Sequence, residues 1–317
     1  MTAESADAFQ GMSVPALPSI EGKTLVFIMA LARSGTTWLR EMLSQHPAVA
    51  SANETHLFNS YLRSFPHQWR RMRDHATGLH VVLSEEEFLA LCRGFADGVL
   101  AGILRRKPEA CVVLEKTPSN VRNWKLIDRL YPKSHFICLV RDPRAVAASY
   151  RAASTSWAGK WAGIGSLELA TRWCEAAEEI RAAAAARPNV HVLRFEDLRA
   201  DPARTIDGLF RTLGLETDEE RCRAYVEACS VEAMRQRTLA VGGAADFVRR
   251  GTVQGWREEL DRRYVARIEA VAQQAMRHYG YEPITSGRAT LARALDGVTG
   301  SLRWRMNRLA DRIQRAL

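Results

Sequence analysis

The sequence predicts an α/β fold of three layers, with helices over both faces of a parallel sheet and helical insertions around a ligand site. Two observations predict it. Short, continuous apolar runs recur along the chain, the pattern of strands buried on both faces. Each is followed by a stretch of helical spacing instead of a second run at hairpin distance, which implies right-handed crossovers.

The elements follow in order. Residues 1–22 contain Ser-Val-Pro-Ala-Leu-Pro and show neither helical nor strand period, so they read as a flexible leader. Thr24–Met29 is apolar and partly β-branched, a buried strand, and Thr36–Gln45 then places Trp38, Leu39, Met42 and Leu43 at helical spacing. Cys111–Leu114 is a second strand before a helix over Asn120–Tyr131, and His135–Val140 is a third before a helix opening at Asp142-Pro143. Ser166–Arg187 is a long alanine-rich helix with Leu169, Trp173, Ala176 and Ile180 facing inward. Val190–Leu193 is the last strand, and Asp201-Pro202 starts a helix that ends at Gly214. Ligands of such a sheet collect beyond the carboxyl ends of its strands.

The chain has 317 residues, 47% hydrophobic and 26% charged, enough for one large domain, placed at 23–284, followed by an appendage at 285–317. A net charge of +9, mainly from arginine, suits planar anions such as phosphate and sulfate, although charge alone fits nucleic acid or an anionic membrane equally. The six cysteines form no C-x-x-C pair and no zinc-like cluster, which excludes a metal-finger reading and points to a reducing compartment. Cys111 and Cys138 read as small buried hydrophobes within strands. The acidic leader lacks a signal sequence and no apolar run approaches eighteen residues, so a cytoplasmic location is expected.

Two segments carry phosphate chemistry. In Arg33-Ser34-Gly35-Thr36-Thr37-Trp38, Gly35 permits close backbone approach and the following helix aims N–H groups at a bound anion. The same letters also make a good structural helix start. The loop lacks the G-x-x-x-x-G-K-S/T spacing of nucleoside-triphosphate enzymes, which disfavours an ordinary kinase. In the second segment, Arg141 leaves a strand end and Ser149 sits two turns along the helix. They either share one phosphate or satisfy local neighbours. Arg144 reads as a solvated charge.

With the later stretch Phe247 to Trp256, these segments resemble the sulfotransferase family that uses 3′-phosphoadenosine 5′-phosphosulfate (PAPS), over about residues 24 to 260. The resemblance implies a P-loop-like fold, PAPS as sulfuryl donor, 3′-phosphoadenosine 5′-phosphate (PAP) as product, and no metal. It implies that Arg33, standing where cytosolic members have lysine, steadies the leaving phosphate, while Ser34, Gly35, Thr36 and Thr37 bind the 5′-phosphate. Trp38 resembles the adenine-stacking tryptophan. Arg141 and Ser149 would take the 3′-phosphate, with Arg249, Arg250 and Gly251 closing over it. Phe195 resembles an aromatic position that lines the adenine, or is a plain core ring.

Cytosolic members carry a histidine base two residues after a lysine, but here Lys116 is followed by Thr117-Pro118. Instead, Glu54-Thr55-His56 resembles the glutamate-x-histidine element of carbohydrate sulfotransferases of the heparan sulfate type. Glu54 is therefore the expected general base, His56 a second candidate or a positioner of Glu54, and Lys116 the lysine on the transferring sulfonate. The implied acceptor is a hydroxyl compound, a carbohydrate, glycolipid or other small natural product, and no nucleic acid partner is expected. Residues 59–106 and 154–165, with Tyr61, Phe65, Trp69, Phe88, Phe95, Trp157 and Trp161, form either a helical lid and acceptor wall or ordinary packing.

In the appendage, Leu302, Met306, Leu309, Ile313 and Leu317 share one face of a basic amphipathic helix, which docks on its own domain, pairs two copies in a homodimer, or lies peripherally on a membrane. Two other functions stand beside the transferase: a P-loop nucleotide or nucleoside kinase, and a non-enzymatic basic protein that binds polyanions or membranes.

Overall fold

The computed structural model describes residues 17–72, 75–240, 242–244, 248 and 251–285. Strands β1 (Thr24–Ala30), β2 (Val49–Ser51), β3 (Val112–Lys116), β4 (His135–Val140) and β5 (Val190–Arg194) form one parallel sheet in the order β2-β3-β1-β4-β5. Val26 stands between Leu114 of β3 and His135 of β4, so β1 is central. The order reverses on either side of β1, which puts the β1–α1 loop at the crevice where ligands of such sheets bind.

The crossovers are helical: α1 (Thr36–Ser44), α2 (Ser64–Met72), α3 (Glu85–Leu104), α4 (Trp124–Leu130), α5 (Pro143–Ser154) and α6 (Ser166–Ala186), and α7 (Phe195–Ala200) follows β5 directly. Beyond them lie α8 (Pro202–Thr212), α9 (Glu219–Ala228), α10 (Val231–Ala240), α11 (Trp256–Glu259) and α12 (Arg262–His278). Alternate residues of β1 serve the two apolar layers, as the strand's period of two requires. Phe27 and Met29 face a layer with Leu100, Phe136, Trp173 and Ile268, while Val26 and Ile28 face Leu39, Met42, Ile206 and Phe210. Leu39, Met42 and Leu43 are fully buried. Burying each such side chain stabilises the fold by about 1.5–3 kcal/mol, and this fixes α1 on the sheet with the loop before it.

The four apolar runs form the expected strands, and the fold is the α/β one read from them. Three local expectations are corrected. The helix over Asn120–Tyr131 is broken: Pro118–Arg122 is a 3-10 turn, Asn123 leaves the helical region, and only Trp124–Leu130 is α-helical. The Asn120 side chain is drawn inward, its amide donating to Glu115 Oε2 at 2.6 Å. Cys111 is exposed just ahead of β3, not inside it, whereas Cys138 is buried. Arg144 is no solvated charge: its guanidinium is 2.7 Å from both Asp142 Oδ2 and Glu269 Oε1 and lies over the Trp256 ring at 4.1 Å. Inside the protein it is held by one neighbouring carboxylate, Asp142, and by two partners distant in sequence, Glu269 and the Trp256 ring. Among the described residues no helix is long and apolar enough to cross a membrane. The amphipathic helix read at 302–317 lies outside the described residues.

Candidate functional site

The β1–α1 loop is built from strained backbone. Gly35 has φ 96° and is the residue before α1, and Arg33 has φ 70°. Among the described residues Arg33 and His56 are the non-glycine positions in the left-handed region. Each costs about 1–3 kcal/mol, and such strain persists where the surroundings over-determine it, often at functional sites. No side chain caps α1, so the amides of its first turn face the loop. With the helix dipole behind them they are free to receive an anion.

Around this loop the structure gathers the second predicted segment. Arg33 Nε donates to Ser149 Oγ at 3.1 Å, and Arg141 Nη1 donates to the Arg33 carbonyl at 3.0 Å. Arg141 is buried, and its second arm donates to Thr252 O at 3.4 Å. The backbone around Arg141 is itself fixed, because Trp173 Nε1 donates to the Arg141 carbonyl at 2.9 Å and Asp142 caps α5 through Arg144 N at 2.8 Å. Arg33, Arg141 and Ser149 thus meet beside the loop, as their spacing allowed. Gly251, at φ 61°, lies against the same group, while Arg249 and Arg250 lie outside the described residues.

Phe195 is the floor under this group. A Cβ on Gly35 would stand 2.5 Å from its Cδ2, a Cβ on Gly251 3.2 Å from its Cζ, and the Arg141 guanidinium covers its face at 4.3 Å. Its ring is 3% exposed, so its present contacts are with the protein. Trp38 is half-buried, anchored by Nε1 on the Cys229 carbonyl at 3.1 Å, with the Arg199 guanidinium 5.3 Å from its ring.

The second half of the site lies at the carboxyl end of β3. Lys116 Nζ donates to Glu54 Oε1 at 2.7 Å and to Thr37 Oγ1 at 3.3 Å, so one ammonium joins the expected base to the anion loop. Burial pushes this ammonium down from the ordinary lysine range, the Glu54 carboxylate pulls it back up, and Arg40 pushes it down again. Glu54 Oε2 is 3.7 Å from His56 Nε2, and both side chains reach solvent. Arg40 of α1 pairs with Glu41 and also donates to Asn53 Oδ1 at 3.3 Å, adding a second cation behind the loop.

The aromatic segments divide. Trp69 and Phe88 are buried and stacked, centroids 4.5 Å apart, and so serve packing. The 154–165 segment instead borders the site: the Arg33 guanidinium lies 5.3 Å from the Trp157 ring, Trp161 lies 5.6 Å from Trp157, and Trp161 is 45% exposed. Sequence reasoning missed Thr55, Glu115, Thr117 and Asn120, whose side chains join the Glu54 loop to β3. The signal was a glutamate inside an otherwise apolar strand, which must find donors when buried.

Comparison with known proteins bears on the family and the fold. The model of the sulfotransferase family matches residues 26–219. Nodulation protein NoeE of Sinorhizobium fredii is 31% identical over 134 residues, 40% of this chain and 31% of that protein. Human protein-tyrosine sulfotransferase 1 is 29% identical over 136 residues, 43% of this chain and 36% of that protein. The chain thus spans about a third of the length of each of these two relatives. The fold is shared with the sulfotransferase domain from the curacin biosynthetic pathway, at TM-score 0.50 and 19% identity over 82% of this chain and 98% of that one. It is shared also with a mouse sulfotransferase in complex with PAP, at TM-score 0.50 and 14% identity over 85% of this chain and 88% of that one. With the family match running from β1 to the start of α9 across the anion loop, the Glu54–Lys116 pair and the Arg141–Ser149 segment, the chain belongs to the sulfotransferase family.

Proposed function

We propose that this protein transfers a sulfuryl group from PAPS to a hydroxyl acceptor by in-line displacement, with Glu54 as general base. The observation that carries the reading is the Lys116 ammonium, 2.7 Å from Glu54 and 3.3 Å from Thr37. It ties a solvent-reaching carboxylate to a loop built for a phosphate or sulfate.

The residues fit the donor. Loop amides and the hydroxyls of Ser34, Thr36 and Thr37 suit the 5′-phosphosulfate, and Arg141 with Ser149 suits a 3′-phosphate that ADP and ATP lack. When bound, PAPS would supply the sulfuryl group and, in PAP, the leaving group. Glu54 accepts the acceptor's hydroxyl proton as its oxygen meets sulfur, and Lys116 holds the carboxylate toward that point. Arg33 and the first-turn amides of α1 hold the charge that collects on the leaving phosphate. His56 orders the outer oxygen of Glu54. The acceptor is a carbohydrate, glycolipid or small natural product, and the relatives named protein-tyrosine sulfotransferases add a tyrosyl hydroxyl to the panel.

PAP is expected to raise the melting temperature clearly more than ADP at equal concentration, and equal shifts would remove the donor reading. Labelled-sulfate transfer from PAPS into sugars, glycolipids, phenols and tyrosyl peptides identifies the acceptor. Glu54→Gln is expected to keep PAP binding and lose about 10²–10⁴-fold in kcat, with a smaller loss in His56→Ala. Full turnover in Glu54→Gln would remove the base assignment.

A further inference from the structure

The Glu54 loop is gripped from both faces of the sheet. Ser51 of β2 pairs with Leu114 of β3, and past that last pair the Glu54 loop returns to β3 through Thr55, which donates to Glu115. Successive side chains of a strand point to opposite faces, so Glu115 and Lys116 must serve different sides. Lys116 takes Glu54 on the face covered by α1. Glu115, only 1% exposed, takes the next residue on the other face. It accepts from Thr55 Oγ1 at 2.7 Å, Thr55 N at 3.4 Å, Thr117 Oγ1 at 2.6 Å and Asn120 Nδ2 at 2.6 Å.

The two threonines pass this order on. Thr117 Oγ1 accepts the His56 N–H at 3.2 Å, and Thr55 Oγ1 accepts the Leu57 N–H at 3.2 Å. These bonds hold the left-handed His56 backbone at φ 54°, one residue beyond Thr55. A carboxylate buried among apolar strands needs several donors, and here most of them come from the segments flanking Glu54 and Lys116.

We infer that Glu115 is a positioning residue for Glu54, fixing through Thr55 and Thr117 where the Glu54 carboxylate stands against Lys116; this rests on Glu54 being the base. Glu115 touches neither donor nor acceptor, so its effect belongs in kcat and vanishes when Glu54 can no longer take a proton. The charge of Glu115 is not what acts. In Glu115→Gln the amide oxygen still accepts from the threonine hydroxyls. Asn120 Oδ1, buried without a hydrogen-bond partner, can turn to accept the new amide N–H.

The test uses the full chain, PAPS and the acceptor found in the transfer panel. Thr55→Val preserves shape, removes the 2.7 Å bond and is expected to lower kcat about tenfold, with the KM for PAPS and the Kd for PAP within about twofold of wild type. Glu115→Gln is expected within about threefold of the wild-type rate. Added to Glu54→Gln, Thr55→Val is expected to cause no further loss, read as single-turnover transfer. The inference is overturned by a wild-type rate in Thr55→Val, by a loss that appears in PAP affinity, by a Glu115→Gln enzyme as slow as Thr55→Val, or by a full further tenfold loss on the Glu54→Gln background. Failure of the base reading is told apart because it appears in Glu54→Gln alone.

Discussion

Replacing Gly35 with alanine tests the claim that the anion loop is moulded against Phe195. The new methyl would lie 2.5 Å from Phe195 Cδ2 and 2.6 Å from Cε2, and 3.6 Å from Leu139. Only the last is an ordinary contact. Phe195 cannot swing aside cheaply, since the Arg141 guanidinium covers it at 4.3 Å, Gly251 abuts its tip and Trp38 meets it edge-on at 6.3 Å. Overpacking of this kind costs about 1–3 kcal/mol. The backbone adds to it, because φ 96° is strained for any residue with a Cβ, at about 1–2 kcal/mol. Together the substitution should destabilise the protein by about 2–5 kcal/mol in urea unfolding. A second substitution separates the two causes. Phe195→Leu alone should cost about 1–2 kcal/mol as a large-to-small change, yet in the Gly35→Ala background it should recover the overpacking part and leave the backbone part. The pair should therefore be non-additive by about 1–3 kcal/mol, with PAP binding lost in Gly35→Ala and partly restored in the double variant. Additive costs, or a Gly35→Ala protein as stable as wild type, would refute the moulding argument.

What could be read from the sequence, and what could not, divides along a physical line. β1, β3 and β4 are almost wholly buried, so their burial is written as continuous apolar runs, while the half-exposed edge strand β5, with Val192 39% exposed, showed itself through its β-branched residues. β2, only Val49–Ser51, is too short to show any period. The run over Asn120–Tyr131 kept helical spacing, but Asn120 is recruited by Glu115 and the chain turns 3-10 there. A side-chain bond to a residue five positions back decided what backbone preference had left open. Arg144 shows the same limit more sharply, since Glu269 is 125 residues away and no local pattern announces the pair. At the site, Arg33 and Arg141 were legible as loop and strand-end residues, which a parallel sheet brings together, and Ser149 as a residue two turns along the helix that follows. Glu54 and Lys116 stood out only through the resemblance, since nothing in a spacing of 62 residues requires them to meet. Glu115 was not singled out, because the apolar run was read to end at Leu114, one residue short of it, and its role needed the positions of Thr55 and Thr117.

Two further predictions follow from buried charge. Arg144→Leu strands Asp142 and Glu269, the latter fully buried, without their cation, and should destabilise the protein by about 3–5 kcal/mol in urea unfolding. A change below about 1 kcal/mol would show that Arg144 is dispensable to that network. Lys116 should reveal its burial in the alkaline limb of the rate profile. Burial lowers its ammonium below the ordinary 10.5 while Glu54 raises it. With a non-titrating sugar hydroxyl as acceptor, kcat should therefore fall at a pH below 10.5 as the charge that holds the Glu54 carboxylate is lost. Glu54→Gln removes the raising partner, so its residual rate should decline at a still lower pH. The stability sign is opposite to the rate sign. Between the lowered folded value and 10.5 the unfolded chain binds more protons at this lysine, so its contribution to stability rises with pH across that window and is lost as pH falls through the folded value. In Lys116→Met that rise should flatten, measured as the melting temperature against pH. An alkaline limb at or above 10.5, or a melting profile that Lys116→Met leaves unchanged, would mean that the ammonium beside Glu54 is solvated in the working enzyme and is not the enclosed cation on which the proposed transfer depends.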